Sequence, residues 1–343
     1  MKRAQTSGKV LRCISHMLHL LPLLALAALI LWLSLTDGRG TQAAAPHTGG
    51  ISYTTSDSEG RPATFTLAHT PERVLVSYPG ATELMIDLGL ERRIIGTTAP
   101  YGKEPPAYAD AYAELPILAA PYVPSREEVV ALAPDLIIGW SHHFTPEALG
   151  DVYSYFDHGV GAYIVPATVR RGAPTLEETV YPFIADMGHI FDAEDRAADY
   201  IAALKARVAA VEDHTAVRGK RFSAMILQSH GNSLYSMYAP AYIIDDIAHK
   251  AGADNIVDRQ MRAVGPERVL GFAPDVIIYV NPKDIPPDEA RAELRGDPNL
   301  QNMKAVRENR IIIVNFSDVN NGNGRCITAL EDIARGLDAL EGE

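Results

Sequence analysis

Two stretches of this chain read alike. Residues 125–138 run SREEVVALAPDLII and residues 265–278 run GPERVLGFAPDVII. Each sets a glutamate at a helix start, then an Ala-Pro-Asp turn, then a short apolar strand, and Glu127 precedes Asp135 by the same interval that separates Glu267 from Asp275. A match of that length constrains the fold to two lobes built alike. An acidic residue in a first helical turn complements the helix dipole, which accounts for Glu127 or Glu267 taken singly. Their equivalent placement in both lobes adds a second reading, two negative points on one face of a two-lobed body.

The rest of the chain fits that frame. From Arg73 onwards β-branched runs alternate with helical patterns: VLVS (74–77), IIGT (94–97), LIIGW (136–140) and AYIVP (162–166), then RFSAMILQ (221–228), DVIIYV (275–280) and RIIIVN (310–315). Continuous apolar runs of this kind read as buried parallel strands. Helices are predicted over 81–88, 126–133, 242–251 and 325–340, the second opened by a capping box of Ser125 with Glu128. Between the two sets lie helical stretches over 175–191, interrupted at Pro182, and over 192–214, where Ile201, Leu204, Val208 and Val211 share a face. A helix of that length spans about 30 Å and can cross between domains. The expected fold class is therefore α/β, two Rossmann-like parallel-sheet lobes joined by a long rigid inter-lobe helix. The expected domains are an N-terminal signal peptide or membrane anchor (1–45), a linker (46–70) with a short hairpin near 51–55 and 64–67, an N-terminal lobe (71–172), an inter-lobe segment (173–218) and a C-terminal lobe (219–343).

The N-terminus reads as a targeting segment. Lys2, Arg3, Lys9 and Arg12 flank an apolar run from Leu18 to Leu35 in which only His19 and Ser34 are polar. The basic flank stays on the cytoplasmic side, so the remainder is exported. Pro46 directly follows the small-residue site Ala43-Ala44-Ala45 and disfavours cleavage there, so an uncleaved anchor stands beside a cleaved signal peptide. Cys13 precedes the apolar run, which argues against lipid attachment at that residue. In the exported part Cys326 has no cysteine to pair with and reads as a core residue. With 31 basic against 43 acidic residues the net charge is −12, which argues against a nucleic-acid partner.

Several segments carry a resemblance to a known family: VSYPGATELMIDLGL (76–90), the two echo segments, DMGHIFDAEDRAADYIAAL (186–204), AGADNIV (251–257) and AVRENRIIIV (305–314). Over about residues 70 to 340 the chain resembles the substrate-binding proteins of ABC importers for ferric siderophores, haem and cobalamin. The resemblance implies an extracytoplasmic monomer that binds its ligand between two lobes. It also implies that Glu127 and Glu267 dock onto arginines of a permease, and that a lobe-spanning helix limits closure.

In open α/β sheets ligands sit beyond the carboxyl ends of the strands. That rule selects Tyr78, Tyr101, Trp140, His142, His143, Arg170 and Arg171 in the N-terminal lobe. In the C-terminal lobe it selects His230, Tyr235, Tyr238, Asn281, Lys283, Asn320 and Arg325. Arginine pairs with oxygens in a fork and aromatics stack on flat chelating arms, so a ferric siderophore leads, with haem or a corrinoid as alternatives. His142 and His143 are either loop histidines or ligands to iron. A siderophore brings its own donors, so neither a resident cofactor nor a protein-held metal is expected. The chain contains no G-x-S-x-G, Walker, G-x-G-x-x-G or H-E-x-x-H motif, and no catalysis is expected. A membrane-tethered sensor is the reading of another class.

Overall fold

Strands form where β-branched residues cluster, and their arrangement repeats. The computed structural model describes residues 50–102, 105–120, 122–169, 172–283 and 285–341. The N-terminal targeting segment, Arg170 and Arg171 lie outside the described residues. Among the described residues no helix is long and apolar enough to cross a membrane.

The described chain begins with an antiparallel hairpin, β1 (Ile51–Ser56) and β2 (Pro62–Leu67), with Ile51 opposite Leu67. Its inward residues Ile51, Tyr53, Phe65 and Leu67 are buried. The hairpin also serves the neighbouring sheet: Tyr53 donates to the Ala162 carbonyl (3.0 Å), and the Ile164 N–H donates to Thr55 Oγ1 (2.9 Å). These side chains satisfy backbone groups of an edge strand that would otherwise invite pairing with another chain.

The N-terminal lobe holds β3 (Val74–Val76), β4 (Ile94–Thr97), β5 (Leu136–Gly139) and β6 (Gly161–Ile164) in a wholly parallel sheet of order β4-β3-β5-β6. Its helices are α1 (Pro79–Asp87), α2 (Ala109–Glu114), α3 (Arg126–Leu132) and α4 (Tyr153–Phe156). The capping box that opens α3 forms as expected: the Glu128 N–H donates to Ser125 Oγ (3.2 Å) and the Ser125 N–H to the Glu128 carboxylate (2.8 Å).

A π-helical turn (Leu176–Val180) then leads into α5 (Tyr181–Ile190). Pro182 sits where the turn becomes a regular helix, because its nitrogen cannot donate to the preceding turn. The long helix α6 follows, Glu194–Arg218, capped by Gly219 at φ 68°. Its 25 residues run about 38 Å.

The C-terminal lobe holds β7 (Phe222–Gly231), β8 (Leu234–Met237), β9 (Ala253–Asn255), β10 (Met261–Val264), β11 (Val276–Asn281) and β12 (Ile311–Asn315). Its helices are α7 (Ile243–Lys250), α8 (Pro266–Val269), α9 (Pro287–Gly296), α10 (Lys304–Arg307), α11 (Phe316–Asn320) and α12 (Arg325–Glu341). Strands β9, β7, β11 and β12 are parallel and stand in the order of β4, β3, β5 and β6. The protein is thus two Rossmann-like α/β lobes joined by a long helix. One addition departs from the expected purely parallel sheet: β7 runs on and folds back antiparallel into β8, which pairs with β10. The turn between β7 and β8 places Asn232 and Ser233 at φ 51° and 58°, the left-handed pair that suits the twist of a tight hairpin.

The echo segments do the same structural work. Asp135 accepts the N–H groups of Glu72 (2.8 Å) and Arg73 (2.9 Å), and Asp275 accepts the N–H (3.0 Å) and hydroxyl (2.7 Å) of Ser223. Each Ala-Pro-Asp turn therefore clamps the start of the neighbouring strand. In the C-terminal sheet both faces are buried, and residues alternate between two cores: Ala224, Ile226, Ile278 and Ile312 on one side, Met225, Leu227, Ile277 and Ile311 on the other. This is the period of two that a doubly covered sheet requires.

Candidate functional site

Strands β3, β4 and β5 of one lobe and β7, β11 and β12 of the other end towards a shared cavity of about 380 Å³. Pro79, Thr98, Ala99, Tyr101, Gly102, Tyr122, Trp140, His142 and His143 line it from the N-terminal lobe, and Gln228, Pro282 and Phe316 from the C-terminal lobe. Most of these follow a strand, where open α/β sheets bind ligands, whereas Gln228 lies within β7 and Tyr122 on the loop after α2. The volume lies within the usual range of small-molecule sites.

The wall is a chain of ring contacts. Phe316 meets Tyr101 at 5.4 Å across the lobes, Tyr101 meets Tyr78 at 6.4 Å, and Tyr78 meets Trp140 at 5.0 Å. Trp140 then meets His142 at 5.0 Å, and His142 meets His143 at 4.5 Å. All five contacts are edge-on, the arrangement aromatic quadrupoles favour. Tyr78 is fully buried behind this wall, and its hydroxyl donates to the Asn320 carbonyl of the other lobe. Burial lifts the Tyr101 phenol above its ordinary pKa, so it stays protonated. Tyr122 is 69% exposed and stands at the mouth.

The two histidines differ. His143 is buried, with Nδ1 3.0 Å from Ser77 Oγ, and burial together with its neighbour His142 pushes its pKa down to about 3. It is neutral at physiological pH and packs the floor. His142 is exposed at the cavity. Thr98 is buried, and its hydroxyl has no hydrogen-bond partner among the described residues. None of the described lining residues is Lys, Arg, Asp or Glu. Among the described residues no group of three His, Cys, Asp or Glu is placed to hold a metal ion.

The structure gathers Tyr101, Trp140, His142 and His143 at the cavity, with Tyr78 directly behind. The C-terminal candidates fall elsewhere. Because β7 continues into the β7–β8 hairpin, His230 sits exposed on that hairpin, 2.8 Å from Ser236 Oγ, away from the strand ends. Tyr235 faces the second core and donates to Asp297. Tyr238 stands behind Gln228 and donates to its amide oxygen. Asn281 holds the following loop through the Ile285 carbonyl (2.7 Å), and Lys283 pairs with Glu293 (3.1 Å). Arg325 pairs with Glu83 (2.8 Å) and Asp318 (2.5 Å), so its guanidinium joins the lobes instead of lining the cavity. Thr98, Tyr122, Gln228, Pro282 and Phe316 were not singled out in the sequence. The signal for Phe316 and Thr98 was available, since both directly follow a predicted strand.

Comparison with known proteins agrees with this geometry. No curated protein sequence gives a significant match. Among solved structures, a periplasmic binding protein from Veillonella parvula is 23% identical, with a TM-score of 0.71 over 84% of this chain and 91% of that chain. An ABC-type Fe3+-hydroxamate transport system protein from Saccharomonospora viridis is 26% identical, with a TM-score of 0.67 over 83% of this chain and 98% of that chain. The apo periplasmic heme-binding protein RhuT from Roseiflexus is 20% identical, with a TM-score of 0.61 over 77% of this chain and 97% of that chain. The family model described as periplasmic binding protein matches residues 74–317, which takes in the sheets of both lobes and every lining residue named above, and the chain therefore belongs to the periplasmic binding protein family.

Proposed function

We propose that the protein is the extracytoplasmic capture component of an ABC importer and that its cargo is a ferric siderophore held in the inter-lobe cavity. The observation that carries this reading is the aromatic wall shared by both lobes. A siderophore supplies every donor to its iron, so the protein need offer only ring faces and hydrogen bonds. Burying a multiply charged anion against an uncharged wall is costly. The described floor therefore suits a chelate of low net charge, as ferric hydroxamates are, and the likeness to the Saccharomonospora viridis protein supports the same class. Arg170 and Arg171, next in sequence after Val169, are proposed to meet peripheral oxygens of the cargo.

Haem is the second reading, favoured by one observation: His142 is exposed at the cavity beside Trp140, and imidazole is a haem-iron ligand. The two are separated by titrating the purified protein with a ferric trihydroxamate, with haemin and with cyanocobalamin, while recording Trp140 emission and absorption. The siderophore reading expects saturable quenching by the trihydroxamate and no shift of the Soret band with haemin. A Soret shift lost in His142→Ala establishes haem instead. Failure of all three probes to bind overturns the cargo assignment.

A further inference from the structure

The C-terminal lobe brings Gln228, Pro282 and Phe316 to the cavity, and among these described residues Gln228 alone has a polar side chain. Its place can be read from the symmetry of the lobes. Val76 pairs with Ile138 in one sheet, and Ile226 pairs with Ile278 in the other. Ile138 and Ile278 are equivalent in the echo segments, so Val76 matches Ile226 and Tyr78, two residues on, matches Gln228. At this position the N-terminal lobe sets a buried phenol that donates to the Asn320 carbonyl of the other lobe. The C-terminal lobe sets a carboxamide that opens on the cavity. Gln228 continues the row of Ala224 and Ile226 on one face of β7, at the point where the parallel pairing with β11 has ended.

A carboxamide offers two donors at its nitrogen and an acceptor at its oxygen. Which end faces a ligand depends on what holds the other. Here the oxygen is taken: the buried Tyr238 hydroxyl donates to Gln228 Oε1. Gln228 Nε2 makes no hydrogen bond to a described residue. Tyr238 is itself fixed along its backbone. Its N–H donates to the Ile226 carbonyl (3.0 Å), and its carbonyl accepts from Asn255 Nδ2 (3.0 Å). Its ring meets Tyr242 edge-on at 4.9 Å, and the Tyr242 hydroxyl accepts from Arg262 (2.5 Å).

We infer that Gln228 is a specificity residue of the cavity, a pair of N–H donors aimed at acceptor oxygens of the cargo, and that Tyr238 is the positioning residue that keeps them turned inwards. Hydroxamate groups carry such oxygens, and a neutral donor binds them without burying a charge in the cavity wall. A donor held in place before binding loses less rotational freedom when the cargo arrives. This inference rests on the siderophore reading above.

The test titrates the purified protein with a ferric trihydroxamate, reading Trp140 emission, with the melting temperature of each variant measured alongside. Gln228→Met keeps the length of the side chain and removes both donors, and is expected to weaken binding about fivefold. Gln228→Glu keeps the shape but sets an acceptor where the donors stood, and is expected to weaken it further. These two near-isosteric changes are expected to leave the melting temperature unchanged. Tyr238→Phe is expected to weaken binding about threefold in the wild-type background and to add nothing in Gln228→Met, a coupling that a role in the fold alone would not produce. If Gln228→Met and Gln228→Glu bind as tightly as the wild type, the donor role is overturned and the siderophore reading stands. Equal losses from Tyr238→Phe in both backgrounds overturn the positioning role. If the wild type does not bind the trihydroxamate, both the inference and the reading beneath it fall.

Discussion

His143 shows how a single residue links the cavity to stability. Its folded pKa, pushed to about 3 by burial and by His142, lies below the ordinary value near 6.5. The unfolded chain therefore takes up a proton that the folded chain refuses. The stability this residue contributes is complete above about pH 6.5 and is lost as the pH falls towards 3, with an upper bound of about 5 kcal/mol. The urea midpoint should accordingly fall between pH 7 and 4, and His143→Gln, which cannot titrate, should flatten that slope; parallel profiles would show that His143 does not set it. Thr98 permits a prediction with two opposite signs. Its buried hydroxyl has no described partner, so Thr98→Val removes an unsatisfied group and should leave the empty protein as stable or slightly more so. If the hydroxyl binds cargo, the same change should weaken affinity about fivefold. Calorimetric melting and a ligand titration on one preparation read both signs, and a loss of both would mean that Thr98 serves only the fold. That His142 and His143 are a pair was legible in the sequence. Which of them is buried was not, because that depends on Ser77 arriving from the end of a different strand, β3.

At the scale of elements, the β-branched runs placed β3, β4, β5, β6, β11 and β12 to within a residue or two, because a strand buried on both faces leaves a continuous apolar signature. The hairpin at β7–β8 went unread. Gly231-Asn232 is a turn signal, but it stands in the polar run Ser229 to Ser233, without the apolar alternation that marks a hairpin. The second half of the chain's candidate site moved with it, since His230, Tyr235 and Tyr238 all sit on or after that hairpin. Helix α6 was legible as a strut, and its partners are divided between the lobes. Tyr200 donates to Asp87 (2.6 Å) and Arg196 to the Gly89 carbonyl in the N-terminal lobe, whereas Arg207 pairs with Glu331 (2.8 Å) and Arg218 with Asp338 (2.8 Å) on α12. The lobes also touch at Gly80, where an added β-carbon would stand 2.2 Å from the Asn321 carbonyl oxygen. Backbone cannot yield as a side-chain tip can, so Gly80→Ala should cost about 1–3 kcal/mol by overpacking. A melting temperature equal to wild type would show that α1 and the 321–323 segment are not in firm contact.

For the whole molecule the question is how far the lobes move. No stretch of sequence reports which residues from different strand ends converge, and so Gln228 and Pro282 entered the cavity only once the two sheets were placed. The same convergence joins the lobes. Glu83 on α1 is wholly buried and accepts from Arg325 (2.8 Å), Asn321 (2.9 Å) and Asn323 (2.9 Å), all from the C-terminal end of the chain. Burial raises its pKa, while Arg325 and the two amides oppose that rise. Removing one member of such a buried pair leaves the other uncompensated and costs about 3–5 kcal/mol. With α6 on one side and this network on the other, a large hinge rotation would have to break several buried polar contacts at once. Closure on cargo should therefore be small. Spin labels on Glu127→Cys and Glu267→Cys, in a Cys13→Ser background where Cys326 is buried, should show a mean distance that shifts by less than about 2 Å on binding a ferric trihydroxamate. Glu83→Ala should broaden the distance distribution of the empty protein, because the contact that fixes the lobes is gone while α6 still tethers them. A wide ligand-driven shift in the wild type, or an unbroadened distribution in Glu83→Ala, would mean that the buried Glu83 cluster does not hold the lobes and that α6 alone sets their spacing.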